Sequence, residues 1–125
     1  MVKTIVSAVC VAILLFLGAI WENNFVKKEF GEFSQALDVV YEKVDDQTAT
    51  IDDIYSVQKI WLDKKKNLHM LVPHTEIKEV DLWIAEAATL VRDKEWEDAI
   101  SKIEVLKELS EQIPKSFSVS WANIF

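Results

Sequence analysis

The sequence predicts an all-α protein in which an N-terminal transmembrane helix continues into a four-helix bundle. Residues 4–21 carry no charged side chain, and the apolar residues after them recur every three or four positions. The chain of 125 residues contains only two glycines and two prolines. Folds made of many strands and tight loops need far more of these turn residues, so they are excluded.

The apolar segment of residues 4–21 is interpreted as an uncleaved signal anchor in contact with membrane lipid. Its 18 residues lie at the short end of the ~17–25 that a helix needs to cross a bilayer. Trp21 at its end suits the membrane interface. A cleaved signal peptide is disfavoured because bulky Ile20 and Trp21 stand where cleavage needs a small residue. Cys10 lies inside the segment, which disfavours a lipoprotein, and a buried core helix is the remaining alternative.

The short N-terminal flank of this segment sets its expected orientation. Positive charges near the two ends are nearly balanced, with the N-terminal amine and Lys3 before the segment and Lys27 and Lys28 after it. We expect residues 1–3 to remain as a cytoplasmic head and residues 22–125 to lie on the extracytoplasmic side of a cell membrane. The absence of cysteine from residues 22–125 agrees with export.

The charge of the chain bears on its partners. The formal net charge is −7, from 21 acids against 14 bases, which excludes a basic stripe for nucleic acid. All of the acids follow the anchor. We therefore expect the outer domain not to bind anionic lipid head groups.

Apolar residues at helical spacing predict that the anchor helix continues as the first helix of a bundle over residues 22–113. They are three or four positions apart: Val26, Phe30, Phe33, Leu37, Val40 and Val44. The pattern breaks at residues 45–48, and Thr50 with Asp53 has the spacing of a capping box. A second helix is predicted over residues 50–71, because Pro73 disfavours helical geometry just after it.

Two further helices complete the predicted bundle, over residues 75–92 and from Trp96 to Pro114. Leu82 and Trp83 widen the apolar face of the third helix. Three tryptophans are expected in the core: Trp61, Trp83 and Trp96. Two tetratricopeptide-like hairpins are an alternative, but such arrays usually need three or more repeats, so a compact bundle is the prediction.

Residues 114–125 are predicted to form an aromatic C-terminal tail outside the last helix. Phe117, Val119 and Trp121 alternate with polar residues, as in an extended chain. Chain ends are normally polar, so an end this apolar must be covered by the bundle, by a partner or by the membrane surface. Three residues are taken as candidates for binding a partner: Trp121, Ile124 and Phe125.

No residue pattern indicates catalysis, a cofactor or a bound metal, and the protein is not expected to be an enzyme. His69 and His74 are five positions apart, whereas zinc ligands on a helix lie three or four apart and need further ligands. Acids at residues 45–46 and 52–53 lack the alternate ligands and central glycine of a calcium loop. The three lysines of residues 64–66 point to different helix faces and are interpreted as solvated surface.

Four short motifs, taken in order, resemble a family of small bacterial membrane-anchored proteins, the domain of unknown function 4363. The motifs are Trp21-Glu22-Asn23-Asn24, Pro73-His74-Thr75-Glu76-Ile77, Asp93-Lys94-Glu95-Trp96-Glu97-Asp98-Ala99 and Asn123-Ile124-Phe125. The resemblance covers nearly the whole chain. It implies a single-span protein with a helical outer domain, no known activity and an integral membrane protein as partner.

Two functions from different classes remain open. In the first, the protein is a non-enzymatic interaction module that binds or stabilises another envelope membrane protein through its groove and aromatic tail. In the second, the helical domain is a sensor or carrier that binds a small apolar ligand among its tryptophans. The second function predicts a pocket of ~300–1,000 Å3 within the bundle.

Overall fold

The computed structural model describes residues 1–124, with the backbone alone for residues 120–124. This part of the chain forms four helices and contains no strand: α1 Val2–Asp45, α2 Ile51–Leu68, α3 His74–Arg92 and α4 Trp96–Ile124. The predicted all-α class, with a long apolar first helix that leads into a helical bundle, is confirmed.

The helices form a ring in which each packs against the next and α4 returns to α1. Side-chain contacts show that neighbours are antiparallel. Lys43 Nζ lies 2.9 Å from Asp53 Oδ1 beside the α1–α2 turn, and Lys64 Nζ lies 3.6 Å from Glu29 Oε1 further along the same pair. Short connections favour this up-down arrangement. The contact of α4 with α1 closes a bundle instead of extending a repeat array.

The bundle has two different ends. We call the end with residues 22–28 of α1, the α2–α3 turn and the last turns of α4 the proximal end, because the apolar half of α1 projects from it. The other end carries the α1–α2 and α3–α4 turns, and we call it the distal end.

The predicted apolar stripe of α1 forms one side of the core. All six of its members are at most 4% exposed: Val26, Phe30, Phe33, Leu37, Val40 and Val44. Before this stripe, α1 is exposed at every residue up to Ile20 except Ala19. One helix therefore has a bare apolar half and a half packed in the bundle.

The two distal turns end their preceding helices in the same way. Gln47 and Lys94 adopt the left-handed conformation, with φ angles of 59° and 57°. The next residue in each turn donates to a carbonyl five positions back, at 2.8 Å for Thr48 to Lys43 and 2.9 Å for Glu95 to Leu90. These are the bonds of a Schellman motif, which supplies donors to the last carbonyls of the helix.

The predicted capping box at the start of α2 is present. The backbone N–H of Thr50 donates to Asp53 Oδ2 at 2.8 Å, while Lys43 holds the other carboxylate oxygen of Asp53. The hydrogen bond from Lys43, followed by that from the Thr50 backbone, lowers the pKa of Asp53. The first turn of α2 is thus joined both to its own cap and to α1.

The three tryptophans expected in the core differ in their burial. Trp61 is 1% exposed and lies 5.0 Å from Phe33 between ring centroids. Trp83 and Trp96 are half-buried and pack against the edge of the same core. Leu82 is 58% exposed and does not widen the buried face of α3. The main contacts of α3 are with α2 and α4.

The prediction of an extended tail after Pro114 was wrong, because α4 continues through Pro114 to Ile124. Proline removes one backbone N–H and so leaves the Ser110 carbonyl without its helical donor. Beyond the proline, Phe117 packs against the core and Ser118 donates to Asn23 of α1. Tertiary contacts therefore outweigh the local cost of proline. The alternation of apolar and polar residues along this segment did not predict them.

Candidate functional site

The apolar half of α1 is the first candidate contact surface. Within residues 1–124, α1 carries the one helical segment that is long and apolar enough to cross a membrane. Only 6% of its most apolar window is buried. A core helix of a soluble bundle would hide such side chains, because burial of apolar surface is the main force that drives folding. The exposed surface suits an apolar solvent around residues 4–21.

An aromatic pair stands where the apolar half ends. Trp21 stacks on Phe25 with ring centroids 5.4 Å apart and an interplanar angle of 13°. Trp21 is 63% exposed, whereas Phe25 packs partly against the bundle core. An exposed tryptophan at the border between apolar and polar surface is typical of the membrane interface.

The register of α4 places the C-terminal end of the chain beside this border. Ser118 donates to Asn23, and α4 runs antiparallel to α1, so Ile124 lies about 9 Å further towards the apolar half at 1.5 Å per residue. Ala19 agrees with this register, because it is 8% exposed although its neighbours in α1 are bare. The end of α4 therefore reaches the level of Leu17, within the last turn or so of the apolar stretch.

Two of the three candidate partner-binding residues belong to this end of α4. Trp121 and Ile124 belong to the helical backbone of α4, and their side chains lie outside the described residues. Phe125 also lies outside the described residues. Their role in binding a partner therefore stays a prediction.

A charged cluster between α1 and α2 escaped the sequence reasoning. Lys64 forms ion pairs with Glu29 and Glu32, and the Glu29 residue is only 6% exposed. The hydrogen bond to Lys64 lowers the pKa of Glu32, and the same bond raises the pKa of Lys64. Glu29 Oε2 has no hydrogen-bond partner among the described atoms. The Glu29–Glu32 spacing of three residues was the available signal, since it places both carboxylates on one helix side.

A second group of polar contacts includes the indole N–H of the buried Trp61. Trp61 Nε1 donates to Asp81 Oδ1 at 2.7 Å, and Lys65 Nζ lies 2.7 Å from the other Asp81 oxygen. Lys64 and Lys65 are therefore not solvated surface, as their sequence suggested, and Lys66 alone of the three is exposed. The two lysines face opposite neighbours because consecutive helical residues are separated by about 100°.

The described residues offer no set of side chains that could hold a metal ion. No three His, Cys, Asp or Glu side chains come together in this part of the chain. His69 and His74 lie at the two ends of the α2–α3 turn, and His69 Nδ1 lies 2.7 Å from the Lys66 carbonyl oxygen. The first histidine thus contacts the end of α2.

An open groove runs along the contact between α1 and α4. Its volume is about 340 Å3, and it is lined by Lys27, Phe30, Gly31, Ser110, Pro114 and Lys115, among others. A Cβ atom added to Gly31 would meet no neighbouring atom within 4 Å, so the groove is open at this residue. The groove lies on the surface of the bundle and not among its tryptophans.

These features define a class of protein: an antiparallel four-helix bundle whose first helix extends beyond the bundle. The bare N-terminal half of that helix could cross a membrane. The chain belongs to the family described as Domain of unknown function (DUF4363), whose model matches residues 20–124. The match begins at the aromatic border and spans the bundle. No curated protein and no solved structure matches the chain.

Proposed function

We propose that this protein is a non-enzymatic, membrane-anchored interaction module that binds or stabilises an integral membrane protein of the cell envelope. The register of α4 carries the proposal, because the Ser118–Asn23 hydrogen bond brings the last turn of α4, to which Trp121 and Ile124 belong, beside the end of the apolar half of α1. A partner that contacts this segment must itself have surface at the membrane level.

In this proposal residues 4–21 remain on the mature protein and contact lipid, with residues 1–3 in the cytoplasm and the bundle outside. The bare surface of the apolar half supports the anchor. The bulky Ile20 and Trp21 support its retention, since they do not suit a cleavage site. Intact mass of the membrane-extracted protein tests this step, and a product that starts near Glu22 would contradict it.

The alternative, a sensor or carrier of a small apolar ligand, has less support. Trp61 is 1% exposed and packs against Phe30 and Phe33, with ring centroids 5.9 and 5.0 Å away, so the central tryptophan belongs to the folded core. The α1–α4 groove has the volume of a small ligand site, but it is open and has lysines at its rim. These observations favour protein interaction over ligand carriage.

Site-specific photocrosslinking in native membranes tests the proposed contact. A photoreactive amino acid replaces Trp121 in the full-length protein, and a matched control replaces Glu97 at the distal end. We expect the first position alone to crosslink to an integral membrane protein. Deletion of residues 121–125 should abolish recovery of the same protein. Equal crosslinking from both positions, or unchanged recovery after the deletion, would refute the proposed contact.

A further inference from the structure

We propose that five lysines at the proximal end, the lysine ring, hold the bundle against an anionic lipid surface. The ring comprises Lys27 and Lys28 of α1, Lys66 of α2, Lys78 of α3 and Lys115 of α4. All five are exposed, and every helix contributes at least one. This inference rests on the proposed anchorage of residues 4–21 in a membrane and goes beyond the proposed protein partner.

The ring lysines of α1 and α2 lie at the same level along the bundle axis. Lys64 Nζ is 3.6 Å from Glu29 Oε1, which places these two residues at the same level of the bundle. Lys66 lies two residues further along α2, and α2 runs antiparallel to α1. It therefore reaches the level of Lys27 and Lys28.

The lysine of α3 reaches the same height. Asp81 accepts a hydrogen bond from Lys65 at 2.7 Å, so these residues share a level. Lys78 precedes Asp81 by three residues, and α3 begins at the proximal end. One turn of helix thus brings Lys78 to the level of Lys66.

The lysine of α4 closes the ring. Ser118 donates a hydrogen bond to Asn23, and Lys115 precedes Ser118 by about one turn. Lys115 therefore lies one turn above Asn23, at the level of Lys27. Both lysines also border the groove between α1 and α4.

The members of the lysine ring, like Lys59 and Lys94 outside it, form no ion pair with a described side chain of the bundle. Six other bases of the bundle do: Lys43, Lys64, Lys65, Arg92, Lys102 and Lys107. The charge of Lys28 also helps to lower the pKa of Glu32, but all five ammonium groups of the ring are exposed to an external anion.

The ends of the bundle have opposite charge balance. At the distal end, residues 42–53 and 92–98 hold nine acids and three bases. At the proximal end, residues 22–28, 66–79 and 112–125 hold five lysines and two histidines against Glu22, Glu76 and Glu79. The net charge of the whole domain hid this separation. An anionic surface would attract the proximal end and repel the distal end. The proposal therefore departs from the expectation, drawn from net charge, that the outer domain does not bind anionic lipid head groups.

The height of the ring suits lipid head groups. Lys27 lies six residues beyond Trp21 on the same helix, or about 9 Å. Head groups extend roughly 5–8 Å beyond the hydrocarbon on each side, and lysine stems can reach down to them. Met70 in the α2–α3 turn is 82% exposed at the same end, where an apolar side chain can enter the interface.

Fluorescence in vesicles tests the proposal with the full-length protein. A fluorophore is placed at position 70 through Met70→Cys in a Cys10→Ser background, and quenching by a lipid with a quencher on its head group is measured. Vesicles are phosphatidylcholine alone or phosphatidylcholine with one-third phosphatidylglycerol. We expect stronger quenching in the anionic vesicles, and loss of the difference in ~1 M salt, where the Debye length is about 3 Å.

Paired lysine variants assign the effect to the ring. Lys66→Gln with Lys78→Gln should lower the ratio of docked to undocked protein roughly thirtyfold, at about fivefold for each lysine near an anionic surface. Lys59→Gln with Lys94→Gln is the matched control, because these lysines are exposed, unpaired with described side chains and outside the ring. The control should retain the quenching.

Two other outcomes would overturn the proposal. The first is quenching that does not depend on lipid composition. The second is a ring variant that quenches normally but fails to recover the membrane partner, which would assign these lysines to a protein contact. Flotation with both kinds of vesicle reports separately on the anchor, so failure of the anchorage is distinguished from failure of the ring.

Discussion

The two halves of α1 belong to one continuous helix but are suited to different solvents. Phe16 in the apolar half is 56% exposed, whereas Phe33 in the bundle half is 0% exposed. Apolar side chains surround the helix before Trp21, and after it they keep to one stripe. Helical propensity does not separate the halves. The distribution of apolar residues around the axis decides whether lipid or a protein core covers them.

The largest expected effect is the difference in stability between substitutions of Phe33 and of Phe16. Phe33→Ala should lower the free energy of unfolding of the bundle by about 3–5 kcal/mol, because it opens a cavity beside Trp61. Phe16→Ala is the matched control and should change it by less than about 0.5 kcal/mol. Thermal unfolding of the detergent-solubilised protein measures both. Equal losses would show that the apolar half belongs to the folded core.

A second change breaks the charged cluster in the bundle half of α1. Lys64→Ala leaves the Glu29 carboxylate buried without its cation and should cost about 3 kcal/mol. Replacing the pair with Glu29→Leu and Lys64→Leu should restore most of this stability, since apolar side chains remove the buried charge. A double variant as unstable as the single one would show that the buried carboxylate is not the cause of the loss. The matched control is Lys59→Ala, an exposed lysine of the same helix.

The third change places a charge in each half of α1. Leu15→Arg should disfavour membrane insertion by about 2.5 kcal/mol, because the guanidinium would lie within the hydrocarbon. Gln35→Arg, at an exposed position of the bundle half, should leave insertion unchanged. Resistance of the membrane-bound protein to alkaline extraction measures the difference. Full resistance of both variants would argue against a span at residues 4–21.

The smallest expected effect concerns the start of α2. Thr50→Ala should lower the free energy of unfolding by about 1 kcal/mol through loss of the cap.

The lowered pKa of Asp53 means that the stabilising contribution of its carboxylate is complete above the ordinary pKa of 3.8. The contribution is lost as the pH falls through the lower pKa of the folded state. Asp53→Asn should remove this acid-dependent part of stability, whereas Asp52→Asn should retain it; unfolding measured as a function of pH distinguishes the two.

Local sequence patterns were sufficient to predict structure where a helix packs one face against the core or begins at a cap. The stripe from Val26 to Val44 and the Thr50–Asp53 cap were both predicted correctly, because each depends on residues close together in the sequence. Pro114 shows the opposite case. The local preference of proline indicated a helix end. Phe117 and Ser118 nevertheless extend α4, because they contact residues that are distant in the sequence.

The sequence by itself determined the helical class, the bare apolar segment and the turns, because spacing, charge and capping act within a few residues. Only the tertiary structure decided which lysines are paired and which form a ring. Lys64 and Lys66 are two residues apart, yet one faces Glu29 and the other is exposed. The height of a residue in an antiparallel bundle depends on the register between helices, and that register is set by packing across the core.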